Sequence, residues 1–415
     1  MTNDKRQVVA GLVELAGEVG KLKASWWAMV LLVVVGCGGS PPKPGGAPPG
    51  GQPSAAAQQE IVIGEYGSLS GDTAAFGKAT HDGIMLAVEE VNKAGGVKGR
   101  KVRVVTEDDQ SKTEQVTTCV KKLINTDRVL VVLGEVASSR SMAGASVCEE
   151  AKVPMVSPSS TNPAVTVDKR TGKVKRYIFR VCFLDPFQGT VMARFARNHL
   201  RAATVAVLKD IKQDYSVGLA QYFVEEFKRL GGTISTEQSY SSGDTDFRAQ
   251  LTSIKETAPD AIFLPGYYND VGNIALQARS LGIEEPFLGG DGWDHPEVVR
   301  LGRQAVNGCY YSSHFSSEDQ NPTVRKFVED YYARFKEKPS CLGALGYDAA
   351  RLVLAAIERA ADLAPDSIRD ELEKTKDFPG VTGKITLDEQ HNPVKPAVVI
   401  EIRDGQFKFV TSIAP

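Results

Sequence analysis

The sequence predicts an α/β protein with two lobes. Short apolar segments of strand length alternate with segments of helical periodicity from residue 61 to about residue 290, and this alternation is typical of parallel sheets covered by helices. Hydrophobic residues make up 42% of the 415 residues, which is ample for a core. Because a usual domain holds roughly 100–200 residues, we expect two sets of strands and helices to form two lobes.

The first set of strands and helices occupies residues 61–156. The continuous apolar sequence at 129–133 is typical of a strand buried on both faces of a parallel sheet. A helix is indicated where apolar residues recur every three or four positions, as at Ile84, Val88 and Val91. We predict strands at 61–65, 101–107, 129–133 and 153–156, and helices at 81–92, around 116–123 and at 138–151.

The second set begins after Tyr177. Its predicted strands lie at 203–208, 233–236, 261–264 and 287–288, and its predicted helices at 215–230, 247–256 and 269–281. The last quarter of the chain differs, because its helices come first and its strands follow. Helices are predicted at 321–335, 342–361 and 367–375, then strands at 383–387, 397–403 and 407–412. Asp404-Gly405 is a typical hairpin turn between the last two strands.

An export signal is predicted near the start of the chain. Ten consecutive apolar residues at 26–35 follow Lys21 and Lys23. This run is shorter than the ~20 residues of a bilayer span and is typical of a secretory signal. Residues 34–37, Val-Val-Gly-Cys, resemble the lipobox of bacterial lipoproteins, which implies a lipid on Cys37. The alternative is a chance buried strand that ends in a cysteine.

We therefore predict a signal peptide with a lipobox at 1–37 and a linker at 38–59. The linker contains six glycines and six prolines, so it buries little apolar surface and is expected to stay solvated. Acidic residues precede Lys21, although the start of such a signal is basic. For this reason we expect translation to begin near Val19.

Composition and motifs argue against several classes of function. Forty-nine basic and 51 acidic residues give a net charge of −2, which provides no broad attraction for nucleic acid. The five histidines are too far apart in sequence to form a metal motif. The sequence contains no GxGxxG after a predicted strand and no GxSxG. We therefore expect no catalytic residues, no metal and no cofactor.

Polar residues follow the predicted strands at their carboxyl ends, where open parallel sheets bind ligands. Ser138 and Thr161 follow two strands of the first set. Hydroxyls and N–H groups at such positions attract an anion, for example a carboxylate. Tyr215, Tyr267 and Asp291 follow strands of the second set and add phenols and a carboxylate. The sequence thus predicts a site for a ligand that carries both charges.

Each of these residues also has a purely structural interpretation. Ser138 and Thr161 are typical helix caps. Asp291 lies between glycines, where it can stabilise a turn. Phe76 and the tyrosines are equally suited to a core. The recurrence of polar residues at successive strand ends is what favours a binding site.

Further motifs extend the pattern over residues 61–412. They are Gly67-Ser68-Leu69-Ser70-Gly71 with Phe76-Gly77, Ala87-Val88-Glu89-Glu90-Val91-Asn92 with Gly95-Gly96-Val97, Asp108-Asp109, Ser157-Pro158-Ser159-Ser160-Thr161, Gln188-Gly189 and Gly346-Tyr347-Asp348-Ala349. In order and spacing they resemble the branched-chain amino-acid-binding proteins, type I periplasmic binding proteins of ABC importers. The resemblance implies two Rossmann-like lobes, joined by a three-crossing hinge, with the ligand in the cleft between them. It assigns 60–182 and 314–380 to lobe 1, and 183–313 and 381–415 to lobe 2.

The resemblance also implies a set of ligand-binding residues. They are Phe76, Ser138, Ser159, Ser160, Thr161, Tyr215, Tyr267 and Asp291. Ser138 and Thr161 match positions that bind the ligand carboxylate, and the carbonyl of Ser159 matches one that meets the ammonium. Asp291 matches the acid that neutralises the ammonium, although the family usually has Glu there. The two tyrosines complete the closed site, and the phenylalanine forms a wall for the ligand side chain. Because Asp is shorter by one methylene, its contact runs through water or the ligand sits deeper.

The implied function is capture of an amino acid, branched-chain or otherwise apolar, and its delivery to an ABC permease in the inner membrane. We expect a monomer in the periplasm or cell envelope, attached to the membrane through lipid on Cys37. Two alternatives share the fold, namely a ligand sensor and a binder of an amide, urea or an aromatic acid. The latter ligands lack an ammonium, so an acid at position 291 disfavours them.

An exported protein can form disulfides. Two candidate pairs are Cys119–Cys148, on neighbouring predicted helices, and Cys309–Cys341, which leaves Cys182 free. The sequence alone does not fix this connectivity.

Overall fold

The chain folds around two β-sheets that carry its helices on their faces. The computed structural model describes residues 60–415. The predicted signal peptide, the linker and Cys37 lie outside the described residues. Within residues 60–415, no helix combines the length and the apolar character needed to cross a membrane.

The first sheet contains five parallel strands. The strands are β1 (Ile61–Gly67), β2 (Val102–Asp108), β3 (Val132–Leu133), β4 (Met155–Ser157) and β5 (Ile178–Arg180), and the helices between them are α1 (Ala74–Lys93), α2 (Thr113–Asn125) and α3 (Ser138–Ala151). The strand order is β2-β1-β3-β4-β5. Every residue of β3, β4 and β5 is buried, as expected for strands covered on both faces.

The second sheet begins with five more parallel strands. They are β6 (Thr204–Asp210), β7 (Thr233–Tyr240), β8 (Ala261–Phe263), β9 (Phe287–Gly289) and β10 (Cys309–Ser313). The accompanying helices are α4 (Asp185–Asn198), α5 (Asp214–Arg229), α6 (Arg248–Glu256), α7 (Tyr268–Ser280) and α8 (Glu297–Gly302). The parallel strands lie in the order β10-β9-β8-β6-β7.

The last quarter contributes to both halves of the molecule. Its elements are α9 (Pro322–Phe335), α10 (Cys341–Arg359), α11 (Pro365–Glu373), the antiparallel pair β11 (Phe378–Gly380) and β12 (Gly383–Ile385), and the hairpin β13 (Ala397–Arg403) and β14 (Gln406–Ile413). The hairpin extends the second sheet because β13 pairs antiparallel with β10. Asp404 and Gly405 both have positive φ, at 52° and 70°, so the predicted turn is confirmed.

Helix α10 returns to the first half of the molecule and packs closely on α1. A Cβ atom on Gly83 of α1 would come within 2.0 Å of the carbonyl oxygen of Gly343. A Cβ on Gly346 of α10 would come within 2.4 Å of the carbonyl oxygen of Thr80. The two helices therefore need glycine at these points in order to approach each other.

The chain passes three times between the two halves: after β5, after β10 and before β13. This topology confirms the two-lobe α/β prediction. The strands β11 and β12 pair only with each other and span the predicted boundary at 380. The residue-level division into 60–182 with 314–380 and 183–313 with 381–415 therefore remains a prediction.

The structure contains elements that periodicity did not predict. Helix α4 was missed because its buried positions include Gln188 and Gly189, which interrupt the apolar periodicity. Strand β10 was missed because it ends in two fully buried serines. Conversely, the strand predicted at 129–133 is regular only over β3, although Leu130 N–H already bonds to the carbonyl of Val62 on β1 at 2.9 Å.

The suggested disulfide pairs are wrong. All five cysteines of the described residues, at 119, 148, 182, 309 and 341, are free and buried. The thiol of Cys119 contacts the carbonyl of Asp108 at 3.6 Å, whereas Cys309 lies 3.8 Å from an Arg279 nitrogen. Although α2 and α3 are neighbours, Cys119 and Cys148 on them are not bonded to each other.

We predict that these five thiols react only after unfolding. Burial raises the pKa of every one of them, that of Cys119 to about 11, and the thiolate is the reactive form. Alkylation with iodoacetamide at neutral pH, followed by peptide mass mapping, should leave all five unmodified in the native protein and label all five in guanidinium. A disulfide-linked peptide in the unreduced digest would contradict the prediction.

Candidate ligand-binding site

A small cavity lies between the two lobes, where strands of both sheets end. Its volume is about 10 Å³, and its walls are formed by Phe76, Val136, Ser159, Tyr215, Tyr267, Asp291, Gly292 and Leu342. This is room for about one water molecule, so a larger ligand requires the walls of the cavity to move apart. A surface groove of about 450 Å³ near Tyr311 and Phe407 is larger, but of the two spaces the cavity is the one whose described lining includes an unpartnered buried polar atom, the Tyr267 hydroxyl.

Ser138 and Thr161 form a cluster of donors on the first lobe. Both residues are almost fully buried. Among the described residues, the backbone N–H groups of Ser138 and Thr161 have no hydrogen-bond acceptor. The Ser138 hydroxyl accepts a bond from Asn162 N–H at 3.2 Å, which leaves its own proton to donate. Ser138 is also the first residue of α3, where the helix dipole adds positive potential.

The two serines that precede Thr161 have different surroundings. Ser159 lines the cavity, and its hydroxyl donates to the carbonyl of Val136 at 3.3 Å. The hydroxyl of Ser160 instead contacts Glu135, Val136 and Ser141 at 2.6–3.0 Å. Ser160 therefore fixes the turn before α3 and does not line the cavity, so a direct role for its side chain in ligand binding remains a prediction.

Asp291 carries the negative charge of the second lobe. Its Oδ1 accepts a hydrogen bond from the Tyr215 hydroxyl at 2.9 Å. Its Oδ2 lies 2.9 Å from Nε2 of His314, a fully buried ring stacked on Phe183. The backbone N–H of Asp291 donates to Gln188 Oε1 at 2.9 Å. These contacts fix the orientation of the carboxylate, which is 5% exposed.

The two predicted tyrosines lie side by side. Their rings are stacked with centroids 5.2 Å apart. Burial raises the pKa of both phenols well above its ordinary value, so both remain protonated donors. Tyr215 already donates to Asp291, whereas the buried Tyr267 hydroxyl has no partner. Tyr267 therefore has a hydrogen bond still to offer to a ligand.

Apolar side chains form the remaining wall. Phe76 contacts Tyr267 edge-on, with centroids 5.8 Å apart. Val136 and Leu342 complete this surface from the loop before α3 and from the start of α10. Sequence analysis missed both residues, because an isolated valine and leucine carry no signal that distinguishes a cavity wall from a core.

Asp185 is a further charged residue that sequence analysis missed. It begins α4, and its N–H donates to the carbonyl of Thr161 at 3.0 Å. Its side chain is fully buried, with the Thr161 and Gln188 side chains near it but no hydrogen bond of normal geometry to either oxygen. Burial, followed by the nearby Asp291 charge, raises the pKa of Asp185 to about 8. In the sequence, Asp185-Pro186 indicates only the start of a helix.

The arrangement can bind, with no sign of covalent chemistry among the described residues. Five of the eight predicted residues line one space, namely Phe76, Ser159, Tyr215, Tyr267 and Asp291. Ser138 and Thr161 each lie two residues after a lining residue of the first lobe, Val136 and Ser159. No serine or cysteine of this cavity contacts a histidine that could act as its base. A ligand with separated opposite charges and an apolar body matches this surface.

Comparison with known proteins gives the same picture. The family model described as periplasmic binding protein matches residues 60–406. A leucine-, isoleucine-, valine-, threonine- and alanine-binding protein of Pseudomonas aeruginosa is 28% identical over 324 residues, which cover 78% of this chain and 84% of that protein. A leucine-specific-binding protein of Salmonella typhimurium is 27% identical over 331 residues, with 80% and 87% covered.

Two solved structures are similar over most of the chain. The leucine-binding protein LivK of Thermotoga maritima is 40% identical, with a TM-score of 0.81, and the match covers 86% of this chain and 99% of that protein. The branched-chain amino acid transporter substrate-binding protein LivJ of Streptococcus pneumoniae, solved with isoleucine, is 36% identical with a TM-score of 0.81, and 86% and 100% are covered.

We predict that Asp185→Asn stabilises the ligand-free protein at high pH. Because the pKa of Asp185 is raised in the folded state, its contribution to stability is present at low pH and is lost as the pH rises from about 4 towards 8. Asparagine removes this loss. At pH 8 the variant should be more stable by on the order of 1–3 kcal/mol, since one pKa unit corresponds to about 1.4 kcal/mol.

Urea unfolding at pH 4.5 and pH 8 checks this prediction, and the gain should shrink at the lower pH. Asp260→Asn is a matched control of opposite sign, because N–H groups of Thr204 and Ala203 lower the pKa of Asp260. That variant should lose stability at pH 8. Equal stability of Asp185→Asn and wild type at pH 8 would show that Asp185 is not held in an unfavourable site.

Proposed function

This chain belongs to the periplasmic binding protein family, and from that premise we propose that it is the substrate-binding protein of an ABC importer. Its ligand is a branched-chain or other apolar amino acid, captured between the two lobes outside the cytoplasm. The observation that carries the proposal is that Asp291 of the second lobe lines one small cavity together with Val136 and Ser159, the first-lobe residues that lie two positions before Ser138 and Thr161.

The two poles fit the two charges of an amino acid. Free N–H and O–H groups at Ser138 and Thr161 are suited to a carboxylate. Asp291, fixed by Tyr215 and His314, is suited to an ammonium. Charge-assisted hydrogen bonds of this kind contribute roughly 1.5–3 kcal/mol each. A ligand that lacks either charge leaves one pole desolvated and unpaired.

The side chain of the ligand faces an apolar surface. Phe76, Val136 and Leu342 offer no side-chain hydrogen-bonding group to it. A polar ligand side chain would therefore lose its hydrogen bonds to water without gaining others in the site. Aliphatic amino acids fit this wall, in agreement with the leucine- and isoleucine-binding relatives.

Capture is proposed to occur by closure of the lobes. Hydrogen bonds join the two lobes on both sides of the cavity: the Tyr268 hydroxyl donates to the carbonyl of Asp72 at 2.9 Å, and Asp214 N–H donates to the Ser139 hydroxyl at 3.0 Å. A ligand that touches both lobes favours the closed state, since its interactions are complete only there. The permease then recognises the closed form.

Membrane attachment forms the last part of the proposal. Lipid on Cys37 and the linker at 38–59 place the binding domain at the outer side of the membrane, near the permease. The linker has 22 residues between Cys37 and the described domain.

We predict that Asp291→Ala weakens leucine binding at least ~100-fold. The variant removes the counter-charge of a desolvated ammonium, and breaking such a buried pair costs about 3–5 kcal/mol. Isothermal titration calorimetry of the full chain with L-leucine measures the effect. Asp260→Ala, a second-lobe carboxylate that bonds only at Ala203 and Thr204, should bind leucine as wild type does. Equal affinity of Asp291→Ala and wild type would refute the assignment of the ammonium pole.

We also predict that lipid attachment depends on Cys37 alone. In cells fed radiolabelled palmitate, the wild-type protein should carry label and sediment with membranes, whereas Cys37→Ser should remain unlabelled and soluble. Cys119→Ser is the matched control and should be labelled normally, because Cys119 is buried in the folded domain. Label on Cys37→Ser would rule out the predicted lipobox.

A further inference from the structure

Arg180 is a fully buried arginine at the end of β5, directly before the first crossing between the lobes. Among residues 60–415, no carboxylate oxygen lies within 4.0 Å of its guanidinium nitrogens, the distance that defines an ion pair. Burying a cation without a paired anion is costly. Although burial lowers the pKa of Arg180, an arginine remains charged inside proteins. Its position therefore calls for a functional explanation.

The guanidinium bonds to the loop that follows β4. Nη1 donates to the carbonyl of Ser160 at 2.5 Å, and Nη2 donates to the carbonyl of Asn162 at 2.9 Å. Nη2 also lies 3.3 Å from the hydroxyl of Thr166. Arg180 thus holds the carbonyls on either side of Thr161, the residue whose N–H and hydroxyl are unpartnered at the anion pole.

The first of these bonds sets the direction of the Thr161 N–H. The carbonyl of Ser160 and the N–H of Thr161 belong to one planar peptide unit, in which the two groups point in opposite directions. Because the carbonyl points to Arg180, the N–H points away from it. Asn162 N–H is engaged by the Ser138 hydroxyl on the neighbouring element. The loop is thereby held with the free Thr161 N–H directed away from Arg180.

The second consequence is electrostatic. A full positive charge lies one peptide unit from the donors at the anion pole, and it polarises the peptide that connects them. Since water is excluded around a fully buried group, this charge is weakly screened. Asp185 and Asp388 attract the guanidinium from beyond ion-pair distance, and an anion at Ser138 and Thr161 adds a further counter-charge.

We propose that Arg180 is a positioning residue for the ligand carboxylate. It aims the Thr161 N–H at the carboxylate and supplies the positive charge that balances it, without touching the ligand. This inference rests on the proposed function, because it concerns the anion pole of the same site. If Arg180 has this role, replacing it weakens the binding of a ligand with a carboxylate more than that of a ligand without one. Replacing a residue that only supports the fold would weaken both equally.

The test compares L-leucine with L-leucinamide, which keeps the ammonium and side chain but replaces the carboxylate with a neutral amide. Calorimetry at pH 6 on the full chain gives the dissociation constant of leucinamide divided by that of leucine. In Arg180→Met this ratio should fall at least fivefold, because leucine loses more affinity than leucinamide. Arg180→Lys keeps the charge but has only one donor centre for two carbonyls, so its ratio should lie between the other two.

Arg369→Met is the matched control. Arg369 is a largely buried arginine of α11 with its own carboxylate partners, Asp366 and Asp370, so its removal should leave the ratio unchanged. Equal losses for leucine and leucinamide in Arg180→Met would overturn the proposal by showing a structural role. If circular dichroism shows that Arg180→Met does not fold, an unchanged ratio in Arg180→Lys overturns it. A wild-type protein that bound no amino acid would instead refute the proposed function, and this inference with it.

Discussion

In the proposed function, opposite charges leave water together in one cavity, and the contacts of both lobes around that cavity are interpreted through this requirement. Thr161 on the first lobe and Tyr267 on the second each keep a buried hydroxyl without a partner, while Asp291 is held between Tyr215 and His314. Unmet hydrogen bonds in a buried site cost free energy. A guest that satisfies both poles recovers this cost only when the lobes are closed, so charge pairing and closure are the same event.

The general architecture could be predicted because parallel strands that are buried on both faces appear in the sequence as continuous runs of apolar residues. The predicted strand at 397–403 and the turn at Asp404-Gly405 agree with the structure in detail. The predictions failed where tertiary contacts override periodicity. Strand β10 ends in Ser312 and Ser313, whose hydroxyls bond to buried partners such as Gln188. Such polar positions look like a loop when the partners are unknown.

The same distinction applies to the site. Ser138, Thr161 and Asp291 were predicted because the carboxyl ends of parallel strands converge, and the family resemblance supplied their proposed roles. Ser160 was grouped with them by adjacency alone, but its side chain is directed into the first lobe. Asp185 and Arg180 left no signal in the sequence. Their importance arises from being buried without a charged partner at hydrogen-bond distance, which is visible only in three dimensions.

The two poles differ in how they are prepared for the ligand. The second-lobe carboxylate carries its own charge and needs only to be oriented, which Tyr215 and His314 achieve. The first-lobe pole is assembled from neutral hydroxyl and N–H groups, so its positive potential must come from elsewhere. The N-terminus of α3 contributes a partial charge, and Arg180 contributes a full one through the carbonyl of Ser160. A pole built this way attracts a carboxylate without placing a mobile cation in the cleft, where it would form an ion pair with Asp291 and hold the empty lobes together.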